Sequence, residues 1–197
     1  MALYLSIIFV TGNVAALCNS LWAQNYLGAN ALEIIYITWL AIIISFLIDA
    51  LCAFMIRQIP ERKINEKSNF FKVRKWEKKV FSFLKVKKWK DNIPELGGML
   101  KFFDKSSVKE NVDSKYMMKF IKETCYAEIM HIVSLFFAPL VIIILPRNFL
   151  LTIVLPVMIV NIFLQIPPIL VQRLNRPKLE MAYKRLKRNE EAAEISA

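Results

Sequence analysis

The sequence predicts an all-α, polytopic helical membrane protein, with about four transmembrane helices and an amphipathic interfacial helix in a basic cytoplasmic loop. Three observations lead there. Hydrophobic residues make up 56% of the 197, with a mean hydropathy of +0.41. They gather in four runs long enough to cross a bilayer, which takes about 20 mostly apolar residues. The 27 Lys+Arg, against 16 Asp+Glu, give a net charge of +11 and crowd into two connections. A soluble domain of this length has too little interior for so much apolar surface. The hydrophobicity excludes disorder, and the 4 Gly and 3 Cys exclude collagen-like and disulfide-scaffold classes.

The expected spans cover about residues 2–22, 34–56, 126–145 and 149–171. The first lacks the basic start of a signal peptide, so it reads as a retained anchor; Asn13 and Asn19 interrupt it. Segment 23–33 carries no Lys or Arg, segment 57–122 carries 19, the tail 173–197 carries 7, and Arg147 stands alone. Four spans therefore put 26 of the 27 cations on one side. The positive-inside rule makes that side cytoplasmic, with both termini there, in a multi-pass protein of the cell membrane. The expected division is an N-terminal transmembrane hairpin (1–56), a basic cytoplasmic and interfacial loop (57–122), and a second transmembrane hairpin with a basic tail (123–197).

Within the loop, Phe70, Val73, Trp76, Val80, Phe81 and Leu84 recur near helical spacing, with Lys72, Lys75, Lys78, Lys79 and Lys85 among them. This pattern predicts a basic amphipathic helix over 70–84, lying in the headgroup layer with Trp and Phe on its apolar face. A short helix over 114–123 is expected to run into the third span. Residues 92–98, with Pro94, Gly97 and Gly98, read as a turn. Cys18, Cys52 and Cys125 lie in or beside spans without CxxC spacing and read as free thiols.

Three clusters could carry chemistry. His131, the single histidine, falls about one and a half turns into the third span, with Glu128 three residues before it and Thr124 on the same stripe. Ionisable residues at such depth are costly and often mark a site. A structural Glu–His pair that docks a helix is the equal alternative. No metal is expected, because two ligands one turn apart match no zinc motif. A histidine oriented by a carboxylate suits general-base work better. The second cluster, Gln172-Arg173-Leu174-Asn175-Arg176, closes the fourth span. Basic residues flank most cytoplasmic span ends, but Gln172 and Asn175 add amides able to donate to an oxyanion or a sugar. Arg173 and Arg176 suit bidentate phosphate binding. The third cluster is Lys87-Lys88-Trp89-Lys90-Asp91, a basic-aromatic patch that membrane anchoring alone would explain; its cations favour an ionised Asp91. Phosphate loops, nucleophile elbows and dinucleotide fingerprints are absent. Anionic lipid accounts for the basic charge without nucleic acid.

Taken in order, Val86-Lys87-Lys88-Trp89-Lys90-Asp91, then Glu123-Thr124-x-x-Ala127-Glu128-x-x-His131, then Ile166-Pro167 and Gln172-Arg173-Leu174-Asn175-Arg176-Pro177 resemble the glycosyl-4,4'-diaponeurosporenoate acyltransferase family of the staphyloxanthin pathway. The resemblance covers roughly residues 70–185. It departs at Ile132, where the family pattern has Trp, and the hairpin 1–56 has no clear counterpart. What it implies is transfer of a fatty acyl group from a thioester donor to a hydroxyl of a membrane glycolipid, a glycosylated carotenoid being one such acceptor. His131 would act as base, oriented by Glu128 or Asp91. Lys88, Lys90, Arg173 and Arg176 would meet the phosphates of acyl-CoA or acyl carrier protein, a co-substrate rather than a cofactor. Trp89 and Thr124 would border the substrate, and Gln172, Asn175 or an Arg would hold the oxyanion. The competing expectation is a non-enzymatic lipid-binding or assembly subunit of an envelope lipid pathway.

Overall fold

A computed structural model describes residues 2–90 and 113–196, and every regular element among them is helical. The chain divides into two compact units. One comprises Met1–Met55 and Ile132–Ile166, the other Ile56–His131 and Pro167–Ala197. Among the described residues three helices are long and apolar enough to cross a membrane: Ala31–Arg57, Ser114–Ile144 and Arg147–Ile195. The expected first span falls on α1 (Ala2–Leu27), several of whose side chains lie outside the described residues. The turn expected over 92–98 lies outside them too.

In the first unit, α1 and α2 (Ala31–Arg57) form a hairpin. Gly28 closes α1 with φ +61°, a left-handed conformation that costs glycine nothing. Asn30 opens α2 by accepting a bond from the Glu33 N–H at 2.8 Å, and so satisfies one of the donors a helix start leaves unpaired. The polar interruptions of α1 have partners. Asn13 donates to its own helix at the Phe9 carbonyl (2.8 Å), and Asn19 donates to Thr38 Oγ1 of α2 (3.2 Å). Gly12 is required for contact, since a Cβ there would stand 2.6 Å from the Trp39 ring. From α2, Ile34, Ile37, Ala41, Ile48 and Cys52 repeat at three- and four-residue spacing. They meet Ala138, Val141, Leu145, Phe149, Ile153, Val154 and Met158 in a continuous core.

The long helix α5 (Ser114–Phe137) absorbs both the short helix expected at 114–123 and the start of the third span. Pro139 interrupts the helix after Ala138, and a short α6 (Leu140–Ile144) follows. A 3₁₀ turn (Arg147–Phe149) and a π-helical turn (Leu150–Val154) then lead into α7 (Leu155–Ser196). The expected tail is therefore a continuation of this 42-residue helix, which holds Pro167, Pro168 and Pro177 in its interior.

The second unit contains two short helices, α3 (Lys75–Phe83) and α4 (Val86–Trp89). The helix expected over 70–84 starts later than its apolar pattern suggests, and the reason is a cap. Glu77 at the third helical position accepts from the Arg74 N–H at 2.5 Å, which fixes the start beyond Arg74. Phe81 packs with Val86 of α4 and Val171 of α7, flanked by Trp89, Leu170 and Leu174. A second core joins Ile64, Phe71, Cys125 and Tyr126, and the Tyr126 hydroxyl donates to the Ile59 carbonyl at 2.6 Å. At the start of α5, Asp113 accepts from the Tyr116 N–H (2.7 Å), and Glu190 of α7 accepts from the Ser114 N–H (2.7 Å).

Candidate active site

The second unit holds a group of four charges, of which Glu77, Glu128 and Arg176 are buried and Arg173 is half-buried. Glu128 on α5 is wholly buried, and its two carboxylate oxygens meet two different arginines of α7. Oε1 accepts from Arg173 Nη1, and Oε2 lies 2.6 Å from Arg176 Nη1 as an ion contact without an aligned hydrogen bond. Arg173 also forms an ion pair with Glu77 of α3, its Nε lying 2.7 Å from Oε1. Two acids and two guanidiniums balance formally to zero. Pairing each acid with a guanidinium repays part of the several kcal/mol per ion that desolvation costs.

The guanidiniums are further satisfied by backbone. Arg176 is 1% exposed. Its Nε donates to Thr124 Oγ1 (3.1 Å), Nη2 to the Thr124 carbonyl (3.0 Å) and Nη1 to the Phe71 carbonyl (3.2 Å), while its Cζ lies 4.9 Å from the Phe71 ring centroid. Arg173 donates to the carbonyls of Phe70 and Lys72, both at 3.1 Å. Residues 70–72 precede α3 and have no helical partners for those carbonyls, so the two arginines bind this stretch of loop to α5 and α7.

Several expected site residues therefore meet. Thr124, Glu128, Arg173 and Arg176 form one cluster, and Trp89 packs against the Phe81, Val86 and Val171 core with its indole N–H on the Leu84 carbonyl (2.9 Å). Arg176, expected at a donor phosphate, is enclosed and committed to Glu128, Thr124 and Phe71. Arg173, expected there as well, is divided between Glu128 and Glu77. Glu128, expected to orient His131, holds the two arginines with both oxygens. His131 lies one turn further along α5 and is half-buried. Gln172 and Asn175 are half-buried on α7, Lys90 is half-buried, Lys88 is exposed, and Asp91 lies outside the described residues. Sequence reasoning missed Glu77. Its signal was a lone acid within a run of lysines, three residues after the Arg74 cap position. Among the described residues no three His, Cys, Asp or Glu side chains are grouped so as to hold a metal ion.

Among the described residues the chain has three helices long and apolar enough to cross a membrane, and its second unit holds a charged cluster with His131 one helical turn from Glu128. The family model described as glycosyl-4,4'-diaponeurosporenoate acyltransferase matches residues 67–185, more than half of the chain, and the chain belongs to that family. It is thereby an acyltransferase. The match contains Glu77, Trp89, Glu128, His131, Arg173 and Arg176, and it begins after α1 and α2. No curated protein and no solved structure matches the chain at a significant level.

Proposed function

We propose that the protein transfers a fatty acyl group from a soluble thioester donor, acyl-CoA or acyl carrier protein, to a hydroxyl of a membrane glycolipid. The family name points to a glycosylated carotenoid as the acceptor. The observation that carries the reading is the chain's single histidine, half-buried and one turn from a buried carboxylate held by two arginines, within the segment that carries the family match.

In this reading His131 takes the proton of the acceptor hydroxyl as the oxygen attacks the thioester carbonyl. The tetrahedral oxyanion accepts hydrogen bonds from the side-chain amide of Gln172 or Asn175. Its collapse breaks the carbon–sulfur bond, and the departing thiolate recovers the proton from the imidazolium. Glu128 serves by holding Arg173 and Arg176, and through them the loop before α3. Asp91 is the carboxylate we propose for orienting the imidazole. The donor's phosphates meet exposed lysines rather than the enclosed arginines. Lys88 is one, and Lys115 and Lys119 are others, on the wall of an open cleft of about 570 Å³ that Glu61 and Asp113 also line. Trp76 and Phe83 stand exposed among lysines on α3, as contact with an anionic lipid surface requires. The protein is read as a multi-pass protein of the cell membrane with both termini cytoplasmic.

The direct test incubates purified protein with labelled acyl-CoA, or acyl carrier protein, and a total lipid extract containing glycosylated carotenoid. A new labelled lipid, heavier than its precursor by one acyl group, supports the reading. Release of free fatty acid with no acylated lipid would refute transfer to a lipid acceptor.

A further inference from the structure

Beyond Pro177, α7 continues as one helix to Ser196, a stretch to which the proposed chemistry gives no task. Two residues mark the side of this stretch that is turned to α5. Tyr183 lines the cleft with Lys115 and Lys119, and Glu190 accepts from the Ser114 N–H at 2.7 Å. At about 100° per residue, the opposite side carries Lys178, Met181, Arg185, Arg188, Ala192 and Ile195. Their alternating spacing of three and four residues makes one stripe about 26 Å long, at 1.5 Å per residue. All six are exposed, and so is Lys184 beside them.

This face has a sign and an apolar content. Lys178, Lys184, Arg185 and Arg188 fall within an arc of about 120° that holds no acid. Glu180 and Glu191 lie on its flank, where Glu191 meets Lys187 at 3.7 Å. Among the described residues the four cations of the face enter no ion pair. Met181 stands among them 64% exposed, and Ile195 at the far end is 87% exposed. Arginine and methionine are enriched where proteins meet, and a one-signed field steers a partner of the other sign.

Two other anionic partners fit less well. Val171 ends the apolar run, and Lys184 to Arg188 stand about 20–25 Å further along the same helix. Attraction to charged headgroups fades over a screening length of about 8–10 Å. A nucleotide's phosphates call for converging donors, whereas these cations are spread along the convex side of a helix.

We propose that this face of α7 docks an acidic carrier protein. The identity of that partner rests on the acyl-transfer reading, and of the two thioester donors it selects acyl carrier protein, whose surface is strongly acidic. The cations of α7 hold the carrier's acidic side chains, and Met181 packs against an apolar side chain between them. The lysines of the cleft are left for the phosphate of the carrier's prosthetic arm.

Binding and turnover are measured separately. The full chain, in nanodiscs of phosphatidylcholine, is titrated with palmitoyl acyl carrier protein. Arg185→Glu with Arg188→Glu is expected to weaken binding by about tenfold or more, since like charges then face each other. The affinity for palmitoyl-CoA should not change. Carrier affinity equal in the variant and the wild type would overturn the proposal. Should the reversal not fold, Arg185→Gln with Arg188→Gln makes the same comparison, with about a threefold loss expected. A photoreactive side chain at position 181 should couple to the carrier. Coupling to lipid alone would assign the face to the bilayer and overturn the docking site. His131→Gln must keep the carrier's affinity. A wild-type protein that binds the carrier in this way but acylates no lipid would remove the proposed reaction and leave the docking face standing. Acyl transfer from palmitoyl-CoA without carrier binding would do the reverse.

Discussion

His131 and Glu128 stand one turn apart on α5, yet their substitution is expected to fail in different ways. His131→Gln keeps size and polarity but cannot take the proton. It should lower acyl transfer by about a hundred- to ten-thousand-fold, the usual contribution of a general base, with Tm unchanged. A purified His131→Gln protein turning over near the wild-type rate would withdraw the base assignment. Glu128→Gln removes one charge from a balanced buried group. It leaves two guanidiniums facing one acid, at a cost of about 3–5 kcal/mol in stability. A denaturation midpoint falling on that scale is the expected result. The arginines provide a second check: in a double-mutant cycle, Glu128→Gln with Arg176→Met should destabilise less than the two single changes summed, because the second change removes the orphaned charge. Additive losses would mean that the two side chains do not depend on each other. Thr124, Glu128, Arg173 and Arg176 were legible as candidates because polar residues stood out from apolar runs. Their mutual pairing was not, since residues 45 apart in sequence carry no mark of which cation meets which acid.

At the scale of elements, α3 shows what periodicity conveys and where it misleads. The apolar pattern of residues 70–84 signalled a helix but suggested that Trp76 and Phe81 share a face. Five residues at about 100° each separate them by roughly 140°. Phe81 accordingly turns inward to Val86 and Val171, while Trp76 is 58% exposed and Phe83, seven residues on, is 84% exposed. Glu77 turns inward with Phe81 and reaches Arg173. A charged residue on the buried side is the feature a hydrophobic pattern cannot report. Phe81→Ala should therefore cost about 3–5 kcal/mol through the cavity it leaves. Trp76→Ala should stay within about 0.5 kcal/mol in detergent and instead reduce quenching of the protein's fluorescence by brominated lipids. Equal destabilisation by the two changes would show that α3 is enclosed on both faces.

For the whole molecule, the prediction is its threading. With 26 of 27 cations in two connections, reporter tags at Lys67 and at the C-terminus should both report the cytoplasm, and a tag between Asn25 and Asn30 the outside. An external signal from the 57–122 connection would reverse the threading and place the site on the other face. The apolar runs announced α2, α5 and α7, because burial in lipid demands long unbroken hydrophobic stretches. They did not announce that the tail would stay helical to Ser196, because a polar sequence leaves that outcome to tertiary contacts such as Glu190 on the start of α5.

The order in which the charged quartet is synthesised has its own consequence. Glu77 and Glu128 emerge from the ribosome well before Arg173 and Arg176, so for the interval in which the chain between them is being made the two acids await their counterions. The second unit cannot close until the C-terminal half of α7 arrives, and that helix completes its assembly as well as its sequence. Quality control acting on unfinished chains would find its target here: a chain cut short before Arg173 exposes two uncompensated carboxylates and an undocked loop.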